Sequence, residues 1–302
     1  MPIQTLPALA TRTTVSVVAA NATLTWRDDL SGAMSLLRVR PDAGIPAFRP
    51  GQYFALGLWI DGRLVQRPYS AASTSSASGE LEFLVRLVPG GELTPHLWRL
   101  REGARLRIGP PKGLFTVLPD DDRAHLFVST GTGLAPFIAM VDALQRQPRP
   151  PRMAVVHGAA HVAELAYRGW LEARAGGPPP PAIRYVPAIS RPAEPGNAGW
   201  HGAVGRMHAV LPRIWDQMRF DPRATVAYLC GNPGMIESGV RVLTELGLPG
   251  DAIHYERYWT DLAPARARDE PGPGGSADSW PRIAAGPTHP VPVAQWTRAA
   301  AF

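Results

Sequence analysis

The sequence is poor in cysteine and lysine, with one residue of each, Cys230 and Lys112. A single cysteine excludes an internal disulfide and a cysteine-ligated iron–sulfur cluster within the chain. No run of about 18 apolar residues occurs, so no membrane-spanning helix is predicted. The first residues lack the basic flank and apolar core of a signal peptide. These absences predict a cytoplasmic protein without a membrane span, and no metal site is expected.

Arginine carries nearly all of the positive charge, and the formal net charge is +6 with an isoelectric point near 10.0. The arginines are spread along the chain, and no basic motif interleaved with aromatic residues is present, so nucleic-acid binding is not predicted. The densest basic cluster consists of Arg99, Arg101, Arg105, Arg107 and Lys112. This cluster is either a solvated surface or a docking face for an acidic partner, whose encounter complementary charge would accelerate.

The apolar pattern changes once along the chain. From about residue 12 to residue 118, short β-branched or aromatic segments alternate with Gly, Pro and Asp turns. This spacing predicts an antiparallel barrel or sandwich. The predicted strands include Thr14–Val18, Ser35–Arg40, Tyr53–Ile60, Leu81–Val88 and Arg105–Gly109.

Residues 119–259 show apolar runs that alternate with amphipathic stretches, which is typical of a parallel α/β sheet. The predicted strands are Ala124–Ser129, Met153–His157, Ile183–Ser190 and Thr225–Cys230. The predicted helices are Phe137–Gln147, Val162–Ala175 and Pro233–Leu246. Residues 260–302 are rich in Pro, Gly and Ala without sustained periodicity, so a disordered, dispensable tail is expected.

The first motif, Arg67-Pro68-Tyr69-Ser70, is predicted at the end of a strand. An arginine beside a hydroxyl and an aromatic ring can hold a pyrophosphate and stack on a planar ring system. Many strand ends carry similar residues, so this motif alone has little specificity.

The second motif is the segment Thr130–Phe137, with the sequence TGTGLAPF, between an apolar strand and a helix. Its glycines let the backbone approach a phosphate, and the helix N-terminus favours the phosphate charge. The third glycine of the common dinucleotide fingerprint is missing, which argues against a simple Rossmann dehydrogenase.

The third motif, Leu229–Met235, also joins a strand to a helix. Asn232 is a candidate N-cap, with Pro233 at the first helical position. Cys230 is predicted at the carboxyl end of a parallel strand, where ligands bind in open α/β sheets. A buried cysteine is also often just a small apolar residue.

In this order, the motifs closely resemble those of the ferredoxin–NADP(+) reductase family. Arg67–Ser70 resembles its R-x-Y-S flavin motif, and Gly91–Thr94 its G-x-x-S/T element. Thr130–Pro136 resembles its nucleotide-binding glycine loop, and Cys230–Met235 its C-G-x-x-x-M turn. Glu256–Trp259 resembles the terminal E-x-Y-W of one bacterial subclass. The resemblance implies an N-terminal antiparallel β-barrel FAD domain (12–118) followed by a parallel-sheet nucleotide-binding α/β domain (119–259).

The resemblance implies a flavin site on the barrel. Tyr69 would pack on the isoalloxazine ring, and Tyr258 and Trp259 would cover the cofactor from the last strand of the other domain. The positions matched to FAD binding are Arg67, Pro68, Tyr69, Ser70, Leu84, Val85, Arg86, Glu92, Leu93, Thr94, Tyr258 and Trp259.

The resemblance also implies where the nicotinamide ring would bind. Thr132, flanked by Gly131 and Gly133 in the nucleotide loop, would lie near the flavin edge. Cys230 and Glu256 would flank the hydride path, and Glu256 is a candidate for handling the proton. The predicted catalytic residues are Tyr69, Cys230 and Glu256.

The NADP 2′-phosphate would be gripped by two arginines. Ser190-Arg191 and Gly205-Arg206 match the S-R and G-R elements of the family, and a guanidinium fork suits a phosphate dianion. A further arginine of the bacterial pattern is replaced by Ala160, with His161 beside it. This departure leaves selectivity for NADPH over NADH open.

The implied activity is FAD-dependent electron transfer between NADPH and ferredoxin or flavodoxin, by a monomer. A reductase component of an oxygenase, or a free NAD(P)H–flavin reductase, shares the two domains. A non-catalytic nucleotide-binding regulator is an alternative of another class, and it would stay oxidised when given NADPH.

Overall fold

The computed structural model describes residues 19–73, 79–118, 120–176 and 183–258. The strand predicted at Thr14–Val18, the residue Trp259 and the tail 260–302 lie outside the described residues.

The first part of the chain forms an antiparallel barrel. Its elements are β1 (Ala22–Ser31), β2 (Met34–Pro41), β3 (Tyr53–Ile60), β4 (Arg63–Ser70), β5 (Leu81–Arg86), the short helix α1 (Thr94–Leu97) and β6 (Arg105–Ile108). The strand order is β4-β3-β6-β1-β2-β5. Just after β4, Ala71 bridges to Phe83 of β5, and Ala72 N–H donates to the Glu82 carbonyl at 2.8 Å. The two edge strands therefore meet, and the sheet closes as predicted.

The second part forms a parallel sheet with helices. Its elements are β7 (Ala124–Thr130), α2 (Ala135–Gln145), β8 (Met153–Ala159), α3 (Arg168–Ala175), β9 (Ile183–Ile189), β10 (Ala203–Val204), α4 (Met207–Met218), β11 (Thr225–Gly231), α5 (Pro233–Glu245) and β12 (Ile253–Arg257). The strand order β10-β9-β8-β7-β11-β12 and the parallel pairing confirm the predicted α/β architecture.

The central strands of this sheet are buried on both faces. Leu126 and Val128 of β7 pack in the cluster that contains α4 and α5, whereas Phe127 packs with α2. Burial on both faces explains why these strands appear in the sequence as continuous apolar runs rather than alternating ones.

The predicted helix Val162–Ala175 is wrong in its first half. Val162–Glu164 form only a 3₁₀ turn, and α3 starts at Arg168. Between them Tyr167 has a φ of +56°, in the left-handed region, and its hydroxyl donates to Glu82 Oε2 of the barrel at 2.8 Å. A tertiary contact therefore overrides the local helical pattern.

Several elements lie outside the predicted set because their patterns are weak. β1, for example, carries the charged run Arg27-Asp28-Asp29. Helix α4 contains Pro212, which disfavours a helix interior. Its apolar residues are nonetheless buried against the sheet, and this burial outweighs the local cost.

No helix among the described residues is long and apolar enough to cross a membrane. In the same part of the chain, no group of three or more His, Cys, Asp or Glu side chains is arranged to hold a metal ion.

Candidate functional site

A cleft of about 680 Å³ opens at the carboxyl edge of the parallel sheet. Open α/β sheets bind ligands at this edge. Each strand from β7 to β12 contributes a lining residue at or just after its end, and Arg86 reaches the cleft from the barrel. The strand-end residues are Thr130, Gly158, Ala159, Ser190, Gly205, Gly231 and Tyr258.

Two glycine-containing turns interlock at the bottom of the cleft. A Cβ atom on Gly133 would lie 2.2 Å from the carbonyl oxygen of Cys230. Gly231 has a φ of +132°, and a Cβ atom there would lie 2.5 Å from Thr130 Oγ1. Only glycine fits at both positions. The glycine loop and the C-G turn, predicted as separate motifs, therefore form one structural unit.

Asn232 caps α5, as the sequence predicts. Its Oδ1 accepts hydrogen bonds from the N–H groups of Gly234 at 2.9 Å and Met235 at 3.4 Å. Its own N–H donates to Thr130 Oγ1 at 3.2 Å, which ties the start of α5 to the end of β7. The first N–H groups of α5 are thus already satisfied by the protein.

Helix α4 offers its first turn to the cleft instead. Arg206 occupies its N-cap position, and no side chain caps the helix there. Arg206, Met207 and His208 all line the cleft. Backbone N–H groups without a cap, beside a guanidinium, form a favourable site for a phosphate group. The structure therefore places Arg206 where a nucleotide phosphate could reach it.

Arg191 has a different setting. Its side chain does not line the cleft, and its Nη1 lies 3.2 Å from Glu194 Oε1. His161 Nε2 lies 2.5 Å from Glu194 Oε2. The hydrogen bond from His161 and the charge of Arg191 lower the pKa of Glu194. Ala160 and Ser190, which precede His161 and Arg191 in sequence, do line the cleft, so His161 and Arg191, with Glu194 paired to both, lie at its rim.

Four polar side chains from both parts of the chain meet beside the nucleotide cleft. Tyr258 Oη donates to Ser70 Oγ at 2.9 Å, and Ser70 Oγ donates to Glu256 Oε1 at 3.4 Å. The Cys230 thiol is buried, and the Tyr258 ring packs against the apolar cluster that contains it. Cys230 and Glu256 are cross-strand neighbours on β11 and β12. The structure thus brings together residues that the sequence assigns to three separate motifs.

Burial sets the protonation of this thiol–hydroxyl–carboxyl cluster of Ser70, Cys230, Glu256 and Tyr258. Desolvation raises the pKa of the Cys230 thiol well above its ordinary value, and the nearby Glu256 charge adds to this. Desolvation likewise raises the pKa of Tyr258 and, against a hydrogen bond from Ser70, that of Glu256. The thiol and the phenol are therefore neutral at pH 7, and Glu256 keeps its proton to higher pH than an exposed carboxyl group.

The predicted flavin motif lies at the end of β4. Arg67 Nη2 pairs with Glu92 Oε2 at 2.9 Å, and Arg63 pairs with the same carboxylate. Pro68 and Tyr69 follow on the strand, and burial raises the pKa of the Tyr69 phenol. The Arg67 side chain is about half exposed, and a guanidinium in this setting next to an aromatic residue fits a dinucleotide that carries a pyrophosphate and a planar ring.

The other predicted flavin positions are less exposed. The side chains of Val85 and Leu93 are in the barrel core, and Leu84 packs in the cluster that includes α2. Thr94 Oγ1 donates to the Val88 carbonyl at 3.1 Å and accepts from its N–H at 3.0 Å. These residues could therefore contact a ligand mainly through their backbone atoms.

Sequence patterns did not single out two carboxylates near the cleft, Glu164 and Glu194. Glu164 is 6% exposed and lines the cleft, and Glu194 joins His161 to Arg191. No local motif marks either residue, since each is defined by partners on other elements. The predicted Thr132 and Gly131 do line the cleft.

An antiparallel barrel joined to a parallel α/β sheet, with residues of both around one cleft, defines a two-domain flavin- and nicotinamide-dependent oxidoreductase. Residues 21–117 match the oxidoreductase FAD-binding domain, and residues 127–240 match the oxidoreductase NAD-binding domain. The chain belongs to the ferredoxin–NADP(+) reductase family and carries an FAD-binding and an NAD(P)-binding domain.

Similar proteins of known name agree with the assignment to this family. Ferredoxin–NADP reductase B of Sorangium cellulosum is 36% identical over 224 residues, covering 72% of this chain and 88% of that protein. The ferredoxin–NADP reductase of Pseudomonas aeruginosa is 32% identical over 225 residues, covering 68% and 85%. The ferredoxin reductase in carbazole 1,9a-dioxygenase is a structural neighbour with a TM-score of 0.66 and 25% identity, covering 80% of this chain and 69% of that one.

Proposed function

We propose that this protein is an NADPH-dependent reductase that exchanges electrons with ferredoxin or flavodoxin through bound FAD. The observation that carries the proposal is the thiol–hydroxyl–carboxyl cluster. It joins Ser70 of the barrel to Glu256 and Tyr258 of the α/β part beside the nucleotide cleft, with Cys230 as the cross-strand neighbour of Glu256. Relatives named ferredoxin–NADP reductases support this choice of electron partner.

FAD, which the Arg67–Ser70 segment of the barrel would hold, would supply the redox chemistry, namely acceptance of two electrons as hydride and their release one at a time. The residues of this chain place and shield the reactants. Thr132, at the turn after β7, and Tyr258 face the cleft where nicotinamide would enter. The neutral Cys230 thiol gives the hydride path an uncharged wall, and Glu256, whose pKa is raised by burial, can take up or release a proton at its Oε atoms within reach of Ser70 Oγ.

Arg206 is assigned to the 2′-phosphate of NADPH, and Arg191 to an outer position at the rim. Replacing Arg206 by Ala should raise the KM for NADPH by about tenfold or more and that for NADH little, because a charge-assisted bond to phosphate is lost. Arg191→Ala should have a smaller effect in the same direction, since Arg191 pairs with Glu194. Equal effects on the two nucleotides would refute the phosphate assignment.

Other features of the proposal concern the whole protein. The FAD-binding part is assigned to residues 12–118 and the nucleotide-binding part to residues 119–259. The basic cluster, from Arg99 to Lys112, is assigned to docking an acidic redox protein, although Arg105 already pairs with Asp42. A cytoplasmic monomer completes the proposal.

The first experiment is an anaerobic visible-absorption titration of the purified holoprotein with NADPH and, separately, with NADH. We expect a yellow protein that bleaches at lower NADPH than NADH concentration, and then reduces an added ferredoxin or flavodoxin. A colourless protein that FAD does not reconstitute would contradict the proposal. A yellow protein that neither nucleotide bleaches would favour a regulator.

A reductase component of an oxygenase is the second candidate, favoured by the likeness to the reductase in carbazole 1,9a-dioxygenase. Rapid bleaching by NADH, with poor electron transfer to free ferredoxin and flavodoxin, would favour this candidate over the first.

A further inference from the structure

A buried histidine, His157, lies next to the nucleotide loop that follows β7. It is on β8, directly before Gly158, which lines the cleft. Its cross-strand neighbour on β7 is Ser129, which comes shortly before Gly131 of the loop. The residue is 0% exposed, so a ligand in the cleft does not touch it. Any effect of His157 on the nucleotide must therefore pass through another residue.

The two ring nitrogens of His157 have different surroundings. Nδ1 lies 3.2 Å from Tyr185 Oη of β9, within hydrogen-bonding distance. Nε2 is buried and makes no hydrogen bond with any described residue. The backbone of Gly131 favours the charged form of this imidazole, so the loop lies close to the ring. A buried polar atom without a partner is rare in folded proteins and calls for a physical explanation.

Burial keeps the imidazole neutral. Desolvation lowers the pKa of His157 to about 4, against the opposite effect of the Gly131 backbone. A neutral imidazole has one N–H, and the partner of the other nitrogen decides which nitrogen carries it. Burial raises the pKa of the Tyr185 phenol, so this hydroxyl keeps its proton and can donate it to Nδ1. The proton of the imidazole then belongs on Nε2, the nitrogen without a partner.

We propose that His157 is a positioning residue of the nucleotide loop, and that its Nε2–H is directed at the carbonyl oxygen of Gly131. This inference rests on the proposed function. The C=O and N–H of one trans peptide point in opposite directions. A Gly131 carbonyl held toward His157 therefore turns the N–H of Thr132 toward the cleft, which Thr132 lines.

An anchor of this kind matters because the loop is rich in glycine. Thr132 stands between Gly131, with a φ of +53°, and Gly133, and glycine leaves the backbone more freedom than any other residue. A loop that is already ordered loses less entropy when the nucleotide binds. Arg206, assigned to the 2′-phosphate, follows β10, which β9 and β8 separate from β7. The anchor should therefore act equally on NADPH and NADH.

The first test is nitrogen-15 NMR of the histidine side chains in the holoprotein, with the signals of His157 identified by their loss in His157→Gln. We expect a neutral ring with the proton on Nε2, and no titration of this ring between about pH 5.5 and pH 8. In Tyr185→Phe, which removes the donor to Nδ1, the ring should populate both tautomers. A wild-type ring that carries its proton on Nδ1, or that titrates like an exposed histidine, would overturn the proposal.

Steady-state kinetics of the holoprotein give the second test. His157→Leu, which removes both nitrogens, should raise the KM for NADPH and NADH by the same factor, about three- to tenfold, the range expected for one lost hydrogen bond. The value of kcat should change much less, because the reacting atoms are untouched. His157→Gln, which keeps an N–H donor near the position of Nε2, should recover most of the lost affinity. Tyr185→Phe should have a smaller effect in the same direction.

His125 is the matched control for a purely structural effect. It is also 0% exposed, and its Nε2 likewise makes no hydrogen bond with any described residue. It stands near the start of β7, at the edge of the sheet opposite the cleft. His125→Leu should lower the melting temperature as His157→Leu does, yet leave the KM for both nucleotides unchanged.

Two kinetic results would overturn the positioning role. The same rise in KM for His125→Leu and His157→Leu would assign the effect to the stability of the sheet. A KM for His157→Gln no better than that for His157→Leu would show that the N–H donor is not what the loop needs. If His157→Leu does not fold, Tyr185→Phe and the NMR measurement decide the question. Failure of the proposed function looks different, because the wild-type flavin would then not be reduced by NADPH or NADH.

Discussion

At the scale of single residues, Glu194 is a negative charge paired with the predicted phosphate arginine Arg191. It engages both Arg191 and His161 at the rim of the cleft. Glu194→Gln should lower the KM for NADPH a few-fold and leave that for NADH unchanged, because a carboxylate beside the 2′-phosphate is removed. Steady-state kinetics with both nucleotides measure this. Glu172→Gln, an exposed carboxylate paired with Arg168, is the control. A parallel change for both nucleotides would place Glu194 away from the 2′-phosphate.

Glu256 gives a prediction about pH. Burial raises its pKa in the folded protein, so the ionised form is less favourable there than in the unfolded chain. Below the ordinary carboxyl pKa of about 4.3 the group is neutral in both states and stability is unaffected. As the pH rises above the unfolded pKa and through the folded pKa, ionisation of Glu256 lowers the free energy of unfolding of the wild type. Glu256→Gln has no ionisable group at this position and does not show this loss.

The melting temperature of Glu256→Gln minus that of the wild type should therefore be larger at about pH 8 than at about pH 5. Scanning fluorimetry of the two holoproteins measures the difference. A difference that stays constant with pH would show that the folded pKa of Glu256 is not raised.

At the scale of elements, the site depends on the close approach of two strand-to-helix turns. Gly133→Ala would force a Cβ against the Cys230 carbonyl oxygen, 2.2 Å away, where no side chain can move aside. We expect a loss of about 2–3 kcal/mol in the free energy of unfolding, with loss of nucleotide binding. Urea unfolding and NADPH titration measure the two effects.

Gly169 in α3 is the matched control, because a Cβ there would have no atom within 4 Å. Gly169→Ala should stabilise the protein by about 0.5 kcal/mol through helix propensity. If Gly133→Ala and Gly169→Ala behaved alike, the turns would not be in the close contact that the structure shows.

At the scale of the whole molecule, a partly buried tyrosine connects the α/β part to the barrel. Tyr167 Oη donates to Glu82 Oε2 at 2.8 Å, and Arg38 Nε donates to Glu82 Oε1 at 2.7 Å. Tyr167→Phe should cost about 1–2 kcal/mol, since a hydrogen bond to a carboxylate is lost while the ring remains. It should also slow flavin reduction by NADPH, because the two parts are held less firmly.

Thermal unfolding and anaerobic stopped-flow reduction measure these two effects. Arg38→Gln, which leaves the Tyr167 bond in place, should cost less than about 1 kcal/mol, as exposed ion pairs usually do. Equal melting temperatures for Tyr167→Phe and wild type would mean that this bond does not hold the two parts together.

Local patterns predicted much of the fold. The Asn-Pro pair marked the start of α5 through the Asn232 cap, and apolar runs marked β7, β8 and β11. The helix predicted from Val162 was wrong in its first half, where Tyr167 has a left-handed conformation and its hydroxyl bonds to Glu82 of the barrel. Propensity over a few residues cannot include such a partner on another element.

The sequence by itself determined the two architectures, the order of the motifs and the glycines of the turns, because each follows from chemistry within a few neighbouring residues. Only the tertiary structure placed Arg86 against Glu164 and Tyr258 against Ser70, pairs that lie far apart in the chain. It also paired Arg191 with Glu194 instead of placing it in the cleft. These contacts depend on how the barrel packs against the parallel sheet, and a side chain takes its charge partner and its protonation from the neighbours that this packing provides.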